Sequence, residues 1–141
     1  MNEIILRKGI PGDIDGIFAL VQEFAASYGP EKDKFINSFT NALNDEATFL
    51  CIAQHNDQMV GYCLGFDFYA FYSNGRVSWL EEIMVEQNFR SRGIGQKLMH
   101  EFESWCASRN SAFINTATHS ATKFYESRGY KSHATYFRRK I

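Results

Sequence analysis

The spacing of apolar and polar residues along the chain predicts strands at both the start and the middle of the sequence. Four runs are typical of strands: the first alternates weakly between apolar and polar residues, and the others are largely apolar stretches bounded by turn residues. They are residues 4–8, 48–54, 59–68 and 76–86. Asn74-Gly75 between the last two is a strong hairpin signal. The last three of these strands should therefore form an antiparallel meander.

Helical spacing predicts the remaining elements. Apolar residues recur every three or four positions at residues 14–25 and 35–43, on either side of Tyr28-Gly29-Pro30. A longer helix should run from about Gly93 to Arg109, with Asn110 as its C-terminal cap. The crossover through this helix predicts that a strand at residues 112–118 lies parallel to the strand at residues 76–86. A helix at residues 120–127 and an antiparallel strand at residues 130–140 complete the prediction.

Length and composition fit one compact domain over residues 1–141. The hydrophobic content of 45% is enough to fill one core, and no repeat or linker-like stretch interrupts the chain. Arg7 and Lys8 are followed by no long apolar run, so we expect neither a signal peptide nor a membrane span. Cys51, Cys63 and Cys106 lie in apolar patterns, which favours buried, reduced thiols and a cytoplasmic location.

Charge and histidine spacing argue against two classes of partner. The formal net charge of −1 gives no general attraction to nucleic acid, although Arg138-Arg139-Lys140 is locally basic. The 4 histidines have no spacing typical of metal ligands, so no metal site is predicted.

A basic, glycine-containing turn is the strongest chemical signal in the sequence. Arg90-Ser91-Arg92-Gly93-Ile94-Gly95 follows a strand and opens a helix. Glycines allow a ligand to approach the main chain, and the free N–H groups of a first helical turn attract anions. The turn lacks the Gly-Lys-Ser/Thr ending of a P-loop. It also lacks the third small residue and the distant acid of a dinucleotide fingerprint, since Leu98 and Asn115 occupy those positions.

Two motifs together resemble those of the GNAT superfamily of N-acetyltransferases. The first is Arg-x-x-Gly-x-Gly at residues 90–95, and the second is Ala121 followed by Phe124-Tyr125 and Gly129-Tyr130. The resemblance extends from about Trp79 to the C-terminus and more loosely to the N-terminus. It implies an α/β (α+β) fold with a mixed, mostly antiparallel sheet, whose two central parallel strands splay apart between flanking helices.

The resemblance also implies acetyl-CoA as the co-substrate and a set of residues that bind it. Main-chain groups of Ile83, Met84 and Val85 would pair with the pantetheine arm, and Arg90 is favoured over Arg92 as the phosphate-binding arginine. Thr118 stands where the family often has an asparagine, which weakens a side-chain contact there. The amides expected to hold the pyrophosphate belong to Ser91, Arg92, Gly93, Ile94, Gly95 and Gln96.

The implied reaction is direct attack of a primary amine on the thioester in a ternary complex, and it needs two proton transfers. Glu81 is the first candidate for the base that deprotonates the amine, because its strand position matches that of a carboxylate in related enzymes. Glu82 should face the other side of the sheet, unless a bulge exchanges the two faces. Tyr125 matches the family's tyrosine acid, which would protonate the departing thiolate.

The acceptor predicted by this resemblance is a small amine, a polyamine-like compound or a peptide amine. Two other functions remain open at this stage: a non-catalytic acyl-CoA sensor and a toxin that acetylates aminoacyl-tRNA. A sensor would need neither the carboxylates nor Tyr125, and a tRNA-acetylating enzyme usually has a basic surface. Because dimers are frequent in the family, the resemblance is also compatible with a homodimer.

Overall fold

A single mixed sheet forms the centre of the computed structural model, which describes residues 3–25 and 28–141. Within those ranges five strands lie in the order β1-β2-β3-β4-β5. β1 to β4 are antiparallel neighbours, and β5 pairs parallel to β4. The predicted meander and the parallel crossover are confirmed. The strands are β1 Ile4–Lys8, β2 Thr48–His55, β3 Gln58–Ala70, β4 Gly75–Val85 and β5 Ser111–Thr116.

Helices cover both faces of this sheet. α3 and its neighbours bury one face, where Leu98, Met99 and Phe102 meet Cys63 and Leu80. α1 and α2 bury the opposite face through a cluster that includes Ile17, Phe39, Ile52, Tyr62 and Met84. We call these the α3 face and the α1/α2 face. The α-helices of the described ranges are α1 Ile14–Phe24, α2 Lys32–Leu43, α3 Ile94–Ser108 and α4 Thr122–Ser127.

A bulge in β4 changes which side chains face which helices. Leu64 pairs with Glu82 and Gly65 pairs with Leu80, so Glu81 is the extra residue of β4. Strict alternation would put Leu80 and Met84 on one face. Instead Leu80 belongs to the α3 cluster and Met84 to the α1/α2 cluster. The bulge therefore turns the second half of β4 over relative to the first half.

Gly65 allows α3 to approach the sheet beside this bulge. A Cβ atom there would clash with the ring of Phe102 and would lie 2.9 Å from the carbonyl oxygen of Trp79. Both neighbours are held in place, because Phe102 is fully buried and the carbonyl belongs to the adjoining strand. The missing side chain at this position is thus a packing requirement.

We expect Gly65→Ala to destabilise the protein by about 1–3 kcal/mol, because the added methyl overpacks the α3 face. Urea unfolding measures the change. Gly12→Ala is the matched control, since a Cβ at Gly12 would have no atom within 4 Å. Equal stabilities of Gly65→Ala and Gly12→Ala would contradict the proposed packing role.

The C-terminal segment departs from the sequence prediction. Residues 130–141 form no strand in the described structure, and all side chains from Lys131 onward are exposed. The segment 131–135 has no apolar side that could be buried against a helix, so strand pairing there would gain little. Its contact with the sheet is the Tyr136 ring, which stacks on Trp79 with the ring centroids 6.0 Å apart.

Two smaller predictions can also be compared with the structure. Arg109 is the C-cap residue of α3, and the predicted cap Asn110 follows it with a φ of 59°, in the left-handed conformation typical of the residue after a helix C-cap. In the described ranges, no helix combines the length and apolar content needed to cross a membrane.

Candidate active site

The turn at residues 90–95, which the sequence predicts to bind an anion, leads into the N-terminus of α3. Gly93 is the N-cap residue and has a φ of 82°, which a residue with a side chain rarely adopts. Among the described residues, none caps this N-terminus through its side chain. The amides of Ile94, Gly95 and Gln96 precede the first helical donor, the Lys97 amide, which bonds to the Gly93 carbonyl, so they are free to bind an anion.

The two arginines of the turn lie in different surroundings. The Arg90 Nε donates to the Val85 carbonyl at 2.8 Å, and its guanidinium lies 3.8 Å from the Glu23 carboxylate of α1. Arg92 instead lies over the Phe89 ring, 5.1 Å from its centroid. It lines an open cleft of about 650 Å³ together with Glu3, Ile4, His55, Phe89 and Lys97. Arg90 is thus held by the protein, and Arg92 is exposed beside the turn.

β4 and β5 separate beyond Leu80. The last residue pair between the two strands is Leu80 with Thr116, yet β4 continues to Val85. The Thr116 hydroxyl donates to the Leu80 carbonyl at 3.0 Å and ties the strands together at this point. Residues 82–85 pair with β3 on one edge only. We call the gap on their other edge the fork, and Ile83, Met84 and Val85 all lie along it.

Thr118 lies just after β5, and its side chain makes hydrogen bonds within the chain. Its hydroxyl oxygen accepts hydrogen bonds from the Ser120 amide at 3.3 Å and the Ala121 amide at 2.9 Å. These contacts shape the turn that leads into α4. The structure therefore gives the Thr118 side chain a local structural role at the position expected to contact the cofactor.

Glu82 is the half-buried carboxylate of the site. The bulge puts it on the α1/α2 face, where Oε1 accepts a hydrogen bond of 2.6 Å from the Tyr62 hydroxyl. Burial raises the pKa of Glu82, the hydrogen bond from Tyr62 lowers it, and the charge of Glu81 raises it; the net direction is upward. A carboxylate of this kind is a better proton acceptor at neutral pH than an exposed one.

Glu81 lies at the surface beside aromatic rings. It is exposed, and its Oε2 accepts a hydrogen bond of 2.7 Å from the Trp79 indole nitrogen. Tyr136 from the C-terminal segment covers the Trp79 ring and is itself 54% exposed. This arrangement gives Glu81 a solvent-facing position next to Glu82.

Tyr125 lies buried on the α3 side of the fork. Its ring contacts Phe124 and Tyr130 edge-on, with centroid separations of 5.2 and 5.7 Å. Burial raises the pKa of its hydroxyl, and Thr116 at the start of the fork only partly opposes this, so the hydroxyl is protonated at neutral pH.

The structure thus assembles most of the predicted site at one end of the parallel strand pair. Glu81, Glu82 and the 83–85 segment follow one another along β4, and Thr116 ties β5 to that strand at Leu80. Sequence reasoning missed Tyr62 and Thr116. Both are strand residues with a polar side-chain tip, and only the pairing of β3, β4 and β5 brings them beside Glu82 and Leu80. In the residues that the structure describes, no cluster of three metal-binding side chains occurs.

Comparison with known proteins assigns the chain to a family. The model of the acetyltransferase (GNAT) family matches residues 16–130, which include both motifs and the whole fork. The chain belongs to the GNAT family. It is an acetyl-CoA-dependent N-acetyltransferase, as the two motifs predicted. A search of curated proteins by sequence gave no match.

Solved GNAT-like structures share the whole architecture at low sequence identity. A transcriptional regulator from Bacillus halodurans has a TM-score of 0.89 at 18% identity, covering 99% of this chain and 100% of its own. Aminoglycoside N-acetyltransferase AAC(6')-Iy in complex with CoA has a TM-score of 0.87 at 18% identity, with coverages of 99% and 96%. Glucosamine-6-phosphate N-acetyltransferase from Arabidopsis thaliana has a TM-score of 0.87 at 16% identity, with 99% of both chains covered. At these identities the likeness establishes the fold.

Proposed function

We propose that this GNAT enzyme acetylates a primary amine by direct attack on acetyl-CoA within a ternary complex. The observation that carries the proposal is the half-buried Glu82 carboxylate beside the fork, at the point where β4 loses its parallel partner. A sensor of acyl-CoA would need no such group. The proposed acceptors are a small amine, a polyamine-like compound or a peptide amine.

The residues of the described chain fit acetyl-CoA at three places. The uncapped amides at the start of α3 suit its pyrophosphate, and the free edge of residues 83–85 suits the amides of its pantetheine arm. Arg92 is the better placed of the two arginines for the phosphates, because Arg90 already binds the Val85 carbonyl. When bound, acetyl-CoA supplies a thioester carbonyl for attack and a thiolate as leaving group.

The two carboxylates have different roles in this proposal. An alkylamine with a pKa of about 10 is only about one part in a thousand neutral at pH 7, so a base must remove its proton. Glu82 is the proposed base, because burial raises its pKa and the bulge directs it to the α1/α2 face. Glu81 is exposed and bound to Trp79, which suits contact with the acceptor. Tyr125 is the proposed acid for the departing thiolate.

Thiol release with a panel of amines tests the activity. The protein is incubated with acetyl-CoA and each amine, and free coenzyme A is measured with a thiol reagent. The proposal requires release that depends on the amine and is accompanied by acetylated product in mass spectrometry. Binding of coenzyme A without turnover on any amine would instead favour the sensor function.

We expect Arg92→Ala to weaken coenzyme A binding by about fivefold, equal to about 1 kcal/mol, because a charge-assisted contact with phosphate is lost. Calorimetry with coenzyme A measures the dissociation constant. Arg90→Ala is the matched comparison and should change that constant less, since its guanidinium faces Val85 and Glu23. The reverse order of the two effects would restore Arg90 as the phosphate ligand.

A cytoplasmic location is part of the proposal. Cys51, Cys63 and Cys106 are buried free thiols, and burial raises the pKa of each, to about 11 for Cys51 and Cys106. Protonated, buried thiols of this kind suit a reducing compartment.

A further inference from the structure

We propose that Tyr62 is a positioning residue that holds the Glu82 carboxylate in the orientation needed for catalysis. This inference rests on the proposed role of Glu82 as the base. Tyr62 belongs to β3 and contacts Glu82 through a single hydrogen bond of 2.6 Å from its hydroxyl to Oε1. A carboxylate held by one oxygen keeps the other oxygen available to accept a proton.

The packing around Tyr62 fixes this hydrogen bond. Tyr62 is 1% exposed and belongs to the cluster on the α1/α2 face, with Met84 as its direct cross-strand partner. Its ring therefore has little freedom to move. Glu82 is two residues from Met84 on the same face because the bulge precedes it. The rigid ring of Tyr62 thus fixes the position of the carboxylate at the end of the flexible Glu82 side chain.

The tyrosine remains a donor over the whole working range of pH. Burial, followed by the nearby negative charge of Glu82, raises the pKa of Tyr62 far above its usual value. A protonated donor stabilises the ionised form of Glu82, so this hydrogen bond lowers the pKa of Glu82 against the upward effect of burial. Removal of the Tyr62 hydroxyl should therefore raise the pKa of Glu82 further.

Few other charged groups act on Glu82 in the part of the chain that the structure describes. Glu81, on the same strand, raises the pKa of Glu82. On the helix side, Glu23 of α1 lies 3.8 Å from Arg90, whose guanidinium also lies 3.8 Å from the Met84 sulfur. Glu23 and Arg90 offset one another's charge. Tyr62 is the hydrogen-bond donor to Glu82 from the neighbouring strand, so removal of its hydroxyl should raise the pKa of Glu82.

The test measures the Glu82 carboxyl directly and then the activity. Carbon-13 NMR of protein labelled at glutamate follows the carboxyl titration, with the Glu82 signal assigned by its loss in Glu82→Gln. In Tyr62→Phe, Glu82 should titrate at higher pH than in the wild-type protein. Turnover of an amine found in the panel should fall about three- to tenfold above the pH of this titration, because the carboxylate has lost its orientation, and further below it, because the carboxylate is protonated.

A second variant moves the titration in the opposite direction. Site-specific 3,5-difluorotyrosine at position 62 is a stronger hydrogen-bond donor, so Glu82 should titrate at lower pH than in the wild-type protein. This measurement keeps the inference testable if Tyr62→Phe folds poorly. Using two acceptor amines of different pKa separates the titration of the enzyme from that of the substrate.

Tyr130→Phe is the matched control. The Tyr130 hydroxyl donates to Glu103 Oε2 at 2.8 Å, so the variant loses the same kind of hydrogen bond on α3 and keeps the ring. It should leave the Glu82 titration unchanged. An unchanged Glu82 titration in Tyr62→Phe, or turnover equal to that of the wild-type protein above the titration, would overturn the positioning role. Absence of turnover in the wild-type protein would instead contradict the proposed function, because the NMR measurement needs no activity.

Discussion

Glu82→Gln should lower kcat by about 100-fold or more, because general-base assistance is typically worth roughly 100-fold to 10,000-fold. The substitution keeps the size of the side chain and removes only its ability to accept a proton. Steady-state kinetics with saturating acetyl-CoA and amine measures the effect. Coenzyme A affinity, measured by calorimetry, should stay within about twofold, since Glu82 is not among the proposed phosphate or pantetheine contacts.

The pH dependence of turnover provides a second test of this prediction. Burial raises the pKa of Glu82, so wild-type turnover should fall as the pH drops through that raised value and the carboxylate becomes protonated. In Glu82→Gln this acid limb should disappear. Glu81→Gln is the control from the adjacent position and should change kcat only a few-fold, because Glu81 is exposed and bound to Trp79. A larger loss in Glu81→Gln than in Glu82→Gln would make Glu81 the base.

Tyr125→Phe should lower turnover by at least tenfold with little loss of coenzyme A binding. The hydroxyl is buried and protonated at neutral pH because burial raises its pKa, so it can donate a proton to the departing thiolate. The phenylalanine ring keeps the edge-on contacts with Phe124 and Tyr130, and the packing of α4 should survive. Single-turnover kinetics with calorimetry separates chemistry from binding.

Tyr72→Phe provides the matched control for this experiment. Tyr72 is an exposed tyrosine between β3 and β4 that stacks on Phe113, away from the fork. Its loss of a hydroxyl should leave turnover unchanged. A turnover number for Tyr125→Phe equal to that of Tyr72→Phe would remove Tyr125 from the mechanism.

The sequence predicted the fold well where one local signal was strong. The Asn74-Gly75 turn, the long apolar stripe of α3 and the glycines at its start all specify structure over short distances. The prediction of a strand at residues 130–140 was wrong, because alternation is weak there and pairing depends on neighbours that no local pattern describes. The segment instead contacts the sheet through Tyr136 and Trp79.

In the candidate site, too, local motifs predicted part of the arrangement, and the pairing of strands determined the rest. The turn at residues 90–95, the Glu81-Glu82 pair and Tyr125 could all be found from motifs. Motifs could not show which carboxylate faces α1 and α2, because the bulge depends on the register between β3 and β4 and on the Phe102 ring over Gly65. The hydrogen bond of Tyr62 to Glu82 also depends on that register. The roles of these residues in catalysis remain predictions.

The bulge at Glu81 also decides where β4 could lose a residue. Deletion of Glu81 would leave Leu80 opposite Gly65 and Glu82 opposite Leu64, so the side chains beyond the bulge would keep their present faces. Deletion of Ile83 would instead move Met84 and Val85 to the opposite faces of the sheet. Shortening of this strand by one residue should therefore be tolerated at position 81 far better than at position 83.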